Sequence, residues 1–132
     1  IARRALELFD RLVIVVAVNP EKRYMFPAEA RVAAIRALYK GEPRISVVIN
    51  DGMTVDIAAK VGARFQVRGV RSTIDFEYER VEADYNRNLG NLETVLLYAQ
   101  PQFSSVSSTA YRQLVYFHKD AEAQKLLPNV NT

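Results

Sequence analysis

An unbroken apolar run, "LVIVVAV" from Leu12 to Val18, most of it β-branched, constrains this chain more than any other stretch. Without polar alternation it has no face to offer water. It therefore predicts a strand covered on both sides, as in a parallel sheet. A loop, Asn19 to Phe26, follows, then Pro27 and an apolar stripe of Val32, Ile35 and Leu38 closed by Gly41, which predicts a helix. The alternation then repeats. "RISVVI" (44–49) predicts a strand, and Thr54 to Val61 a short helix ended at Gly62 by a left-handed turn. "RFQV" (64–67) is the next strand, and Ser72 with Asp75 three positions on resembles a capping box opening a helix that runs to about Asn88. "ETVLLYA" (93–99) predicts a fourth strand, "SSTAYRQLVYF" a helix with hydroxyl N-caps, and Asp120 to about Leu127 a last short helix. At the front, Ala5, Leu8 and Phe9 lie at helical spacing, so residues 1–9 read as the tail of a helix.

Strands alternating with helices through short loops imply an α/β fold, an open parallel sheet with right-handed crossovers and helices on both faces. The 132 residues are enough for one domain with one hydrophobic core. The absence of cysteine excludes disulfides and thiolate chemistry and fits a reducing compartment. The net charge of +3, from 18 basic and 15 acidic residues, is too small an imbalance to indicate nucleic-acid binding. No apolar run is long enough to span a bilayer, so a soluble protein with no membrane partner is expected.

In open parallel sheets ligands bind beyond the carboxyl ends of the strands. The segments after Val18, Ile49, Val67 and Ala99 are therefore the candidate site. The first, "NPEKRYMF", carries Lys22 and Arg23; the second, "NDGMT", carries Gly52. The first reads equally as a solvated loop or a ligand loop, whereas the second, although Gly52 would let the backbone approach a ligand closely, reads rather as a turn and helix cap. The third is "VRGVRSTIDFEYE" (67–79), where Arg68 and Arg71 flank Gly69 just before a helix N-terminus. Guanidinium forks, free backbone N–H groups and a glycine together suit a phosphate. Asp75 and Glu79, four apart on one helix face, could orient the arginines or accept hydrogen bonds from a ligand, or form a surface ion-pair lattice. The fourth, "QPQFSSVSST", ends in Ser107, Ser108 and Thr109, which N-capping explains as well as phosphate binding does. Basic or N–H-rich loops on several strand ends point to a phosphorylated ligand or nucleotide, while neither a dinucleotide fingerprint nor a P-loop is present. His118, the only histidine, lies late on a helix beside Phe117 and Lys119 and reads as structural. No Ser-His-Asp set or metal-ligand cluster can be assembled.

The blocks "NPEKRYMF", "DGMTVDIAAKVGA", "VRGVRSTIDFEYE", "ADYNRNL" and "SSVSST", in this order and spacing, resemble bacterial phosphopantetheine adenylyltransferases, nucleotidylyltransferases with a Rossmann-like fold. The resemblance covers essentially the whole chain. It implies a transferase of coenzyme A biosynthesis that joins ATP and 4'-phosphopantetheine to give dephospho-coenzyme A and pyrophosphate. It further implies that Lys22 and Arg68 contact the acceptor and its attacking phosphate, the catalytic positions, with Thr54 near the pantetheine arm. Gly69, Val70, Arg71 and Glu79 would line the ATP site, and Phe103, Ser104, Ser105, Val106, Ser107, Ser108 and Thr109 would close over adenine and phosphates. Mg²⁺ would accompany the triphosphate, and the assembly would be a cytoplasmic homo-hexamer. The alternatives are a related nucleotidylyltransferase with another phosphorylated acceptor, such as nicotinamide mononucleotide or a sugar or polyol phosphate, and a non-catalytic nucleotide-binding module.

One departure is large. The family's first strand, and the loop with its threonine and its G-H dipeptide, have no counterpart in these residues, and His118 does not match that motif. The gap corresponds to roughly 20 residues, a strand, a loop and a helical turn. In the strand order 3-2-1-4-5 that strand is central. The expectation is therefore of a single nucleotidylyltransferase domain over residues 1–132 without its central strand, its sheet left as two fragments with unpaired inner edges, and of a sequence that is incomplete at its front.

Overall fold

In a computed structural model, which describes residues 1–19, 21, 23–100, 102 and 106–127, the β-branched run forms β1 (Leu12–Ala17) behind a seven-residue helix α1 (Ala2–Leu8). Then follow α2 (Ala28–Leu38), β2 (Ile45–Asn50), α3 (Thr54–Val61), β3 (Phe65–Val70), α4 (Thr73–Gly90), β4 (Glu93–Tyr98), α5 (Ser108–Tyr116) and α6 (Asp120–Gln124). The expected alternation of parallel strands with helices is present. β1 pairs with β2 from Leu12↔Ile45 to Ala17↔Asn50, and β3 with β4 from Phe65↔Glu93 to Val70↔Tyr98, both parallel. Among the described residues no ladder joins the two pairs, so the sheet stands as two fragments, as expected of these strands without a central one.

Each fragment is a βαβ unit with its own packing. Val16 of β1, Val47 of β2 and Val32 of α2 form a buried cluster, with Ile14 and Ile35 against it. In the other half, Val70 and Leu92 are almost fully buried and α4 packs on β3 and β4. The expectation of two covered faces for β1 needs correcting: Val16 and Ile14 pack with α2, but Val15, on the other face by alternation, remains 40% exposed.

Local chemistry fixes the helix ends. Gly62 ends α3 at φ 75°, where the absence of a Cβ removes the usual penalty for a left-handed residue. Ser72 caps α4 by accepting from the Asp75 N–H, and Ser107 caps α5 by accepting from the Ala110 N–H. Pro27 sits one position earlier than a first-turn proline, as the N-cap of α2. His118 lies in the turn after α5 at φ 59°, not on the helix as expected. No described helix is long and apolar enough to cross a membrane.

α4 is inverted relative to an ordinary surface helix. Its buried positions are Glu79 and Asn86, two turns apart, while Ile74, Tyr78, Val81, Tyr85 and Leu89 repeat at helical spacing on a flanking, exposed side, about 100° round the helix. The polar inner face is satisfied by β3. Asn86 Nδ2 donates to Gln66 Oε1 at 3.0 Å, and Glu79 accepts from Arg68, which stands two residues from Gln66 on the same face of the strand.

Candidate phosphate-binding site

Pairing of Gly69 with Leu97 and Val70 with Tyr98 carries β3 three residues past the expected end at Val67. Arg68 and Gly69 are therefore inside the strand and only Arg71 lies in the connection to α4, so the expected phosphate loop is correspondingly shorter. Alternation along the strand sends Arg68 and the buried Val70 to the face covered by α4.

There the Arg68 guanidinium meets Glu79 in a fork: Nε donates to Oε2 at 3.0 Å and Nη2 to Oε1 at 2.9 Å. Glu79 is buried, whereas Arg68 keeps nearly half of its side chain exposed. The bond to Glu79 raises the guanidinium pKa against the opposing effect of burial, so Arg68 is a fixed cation with one side engaged and the other accessible.

Arg71 draws three segments together. Its backbone N–H and its Nε both donate to Asp75 Oδ2, at 3.0 and 3.3 Å, and its Nη1 donates to the Val106 carbonyl at 2.8 Å. The backbone N–H of Arg71 is the main reason the Asp75 carboxyl lies below its ordinary pKa, with the Arg71 side chain adding to it. The expected capping box is thus shifted by one residue: Ser72 Oγ accepts from Asp75 N–H, but the aspartate answers Arg71 instead of Ser72. Through Val106, Arg71 also ties the start of α4 to the residue before the α5 cap, Ser107. That carbonyl partner was not legible in sequence, since backbone acceptors carry no residue signature.

The predicted residues thus divide into groups. Arg68, Gly69, Val70, Arg71, Glu79 and Val106 are gathered around the β3–α4 junction, with Ser107, Ser108 and Thr109 opening α5 next to it. Thr54, the exposed first residue of α3, sits at the carboxyl end of β2 and makes no described hydrogen bond to this group. Gly52 precedes it in a turn closed by Asn50, whose Oδ1 accepts from the Gly52 N–H and whose Nδ2 donates to the Gly52 carbonyl. Lys22, Phe103, Ser104 and Ser105 lie outside the described residues.

Comparison with known proteins places this geometry in a family. A profile described as cytidylyltransferase-like matches residues 1–114. A phosphopantetheine adenylyltransferase of Bacteroides fragilis is 46% identical over 120 residues, 91% of this chain and 80% of that protein. The chain belongs to the phosphopantetheine adenylyltransferase family. Phosphopantetheine adenylyltransferases of Bacteroides thetaiotaomicron, 45% identical over the same shares of both chains, and of Leuconostoc citreum, 38% identical over 98% of this chain and 82% of that one, resemble it as well. The profile match to this phosphopantetheine adenylyltransferase chain runs through α1 to most of α5 and so includes every residue of the Arg68–Glu79 and Arg71–Asp75 pairs.

Proposed function

We propose that the chain transfers the adenylyl group of ATP to 4'-phosphopantetheine, giving dephospho-coenzyme A and pyrophosphate. The observation that carries this reading is the pair of guanidiniums at the end of β3, each held by a carboxylate of α4, in a chain of this family. A phosphate oxygen of the acceptor attacks the α-phosphorus, the new O–P bond forms in line, and the bond to the pyrophosphate oxygen breaks. Negative charge grows on the equatorial oxygens and the leaving group, so catalysis consists of positioning and cationic stabilisation.

Arg68, with Lys22, holds the acceptor phosphate, and Thr54 lies along the pantetheine arm. Arg71, with the backbone of Gly69 and Val70, faces the nucleotide phosphates, and the segment from Phe103 to Thr109 closes over the adenine. Glu79 serves this site through Arg68, since both of its oxygens are engaged there. Among the described residues no group of acids and histidines could cage a metal ion, and Asp75 and Glu79 are both engaged by arginines. The described side chains therefore do not fit a protein-held Mg²⁺ site, and the ion would enter with the triphosphate.

The exposed apolar stripe of α4 supports assembly into a homo-hexamer, since a solvated helix gains nothing from that pattern. A single nucleotidylyltransferase domain working in the cytoplasm completes the reading. Pyrophosphate release by the full natural chain with ATP and 4'-phosphopantetheine tests it. Turnover is expected with that acceptor, with Arg71→Ala raising KM for ATP and Lys22→Ala slowing turnover or raising KM for the acceptor. Turnover with nicotinamide mononucleotide or a sugar phosphate alone overturns the assignment.

A further inference from the structure

Ile1 and Phe9, the residues that flank α1, both meet β3. A Cβ added at Gly69 would stand 3.1 Å from Ile1 Cγ1, and the Phe9 ring lies 5.4 Å from that of Phe65. Eight helical steps span roughly 12 Å and four strand steps roughly 13 Å, so α1 runs alongside β3 in the opposite direction. Alternation puts Phe65 and Gly69 on the face of β3 away from Arg68 and α4, and the bare α-carbon of Gly69 leaves room for the helix.

The start of α1 therefore lies at the carboxyl ends of β3 and β4. There Arg4, a half-buried residue, donates from Nη1 to the Tyr98 carbonyl at 2.6 Å. Tyr98 is the last residue of β4 and pairs with Val70, the last of β3. The Glu93 and Ala99 N–H groups donate to the Arg64 and Val70 carbonyls, so the odd-numbered residues of β4 face β3 and the Tyr98 carbonyl points out of the ladder. The sheet gives that oxygen no donor, and the Arg4 guanidinium supplies a charge-assisted one. The next residue faces the other way: the Ala99 N–H holds the Val70 carbonyl at 2.8 Å, and Val70 leads directly into Arg71.

We propose that Arg4 is a positioning residue for the nucleotide. By holding the end of β4 at Tyr98 it fixes, through Ala99, the Val70–Arg71 backbone assigned above to the ATP phosphates. The inference rests on that adenylyl-transfer reading for the identity of the ligand.

The test uses the full natural chain with two variants. Arg4→Met keeps an apolar stem and removes the donor, while Arg4→Lys keeps a cationic donor. ATP affinity is read by titration calorimetry without acceptor, and kcat and both KM values by pyrophosphate release. Arg4→Met is expected to weaken ATP binding and raise KM for ATP by roughly fivefold, the lower end of coupling between separate positions. Its kcat and its KM for 4'-phosphopantetheine should stay unchanged, and Arg4→Lys should recover most of the lost affinity. Unchanged ATP affinity in Arg4→Met overturns the proposal. A loss shared equally by both substrates, or one that lysine does not recover, overturns it too, since Arg4 would then only pack α1 against the sheet. A natural chain that binds ATP but turns over only another acceptor defeats the assigned reaction, and the calorimetric comparison still decides the role of Arg4. A natural chain that binds no ATP overturns both.

Discussion

Arg68 and Glu79 divide their pair unequally, because the carboxylate is buried and the guanidinium is half in water. Removing the acid leaves a cation that solvent can reach, whereas removing the arginine leaves a buried carboxylate with no counter-charge. Arg68→Ala is therefore expected to lower stability by about 2 kcal/mol, a value below that of a fully buried pair because Arg68 is partly solvated, and Glu79→Gln by about 1 kcal/mol. Denaturant midpoints of the two variants check the order. An equal or reversed cost would mean that Glu79 is not held by Arg68 alone. The sequence showed both acids within reach of both arginines. It did not show which acid takes which arginine, because β3 had first to extend to Val70 and turn Arg68 toward α4.

At the level of elements, α3 and α4 approach so closely that Gly90 has no room for a side chain: a Cβ there would stand 2.6 Å from the Val55 Cβ. Alanine normally adds about 1 kcal/mol over glycine in a helix. Gly90→Ala is instead expected to cost about 1–2 kcal/mol, because a Cβ atom of Val55 cannot rotate out of the way and the helices must part. A thermal melt decides the sign, and a gain in stability would show that α3 yields freely. Helix starts and stops were the most legible features, since Ser72, Ser107 and Gly62 act through neighbouring backbone groups. The orientation of α4 was not legible. An apolar stripe at 74, 78, 81, 85 and 89 has the same period whether it faces a core or the outside, and only the polar partners on β3 turn it outward. The unbroken run of β1 likewise reads as covered on both faces, although Val15 is not.

At the scale of the whole molecule that outward stripe is an apolar feature the described fold leaves uncovered, and it would suit a subunit contact. Val81→Asp is expected to shift the sedimentation coefficient toward a smaller species while the far-ultraviolet circular dichroism stays unchanged, because Val81 is 65% exposed within the chain. An unaltered sedimentation coefficient would place the subunit contacts elsewhere. The links around Arg71 have a different reach. Its Nε and Nη1 already donate to an aspartate on α4 and a carbonyl ahead of α5, so an anion that recruits its remaining N–H donors shares the cation with these acceptors. Binding there divides one charge among several acceptors, and the heat released will be smaller than the number of new contacts suggests. The Val106 carbonyl rests on the same cation, so an anion held at one end of β3 shares its charge with a segment 35 residues further along the chain.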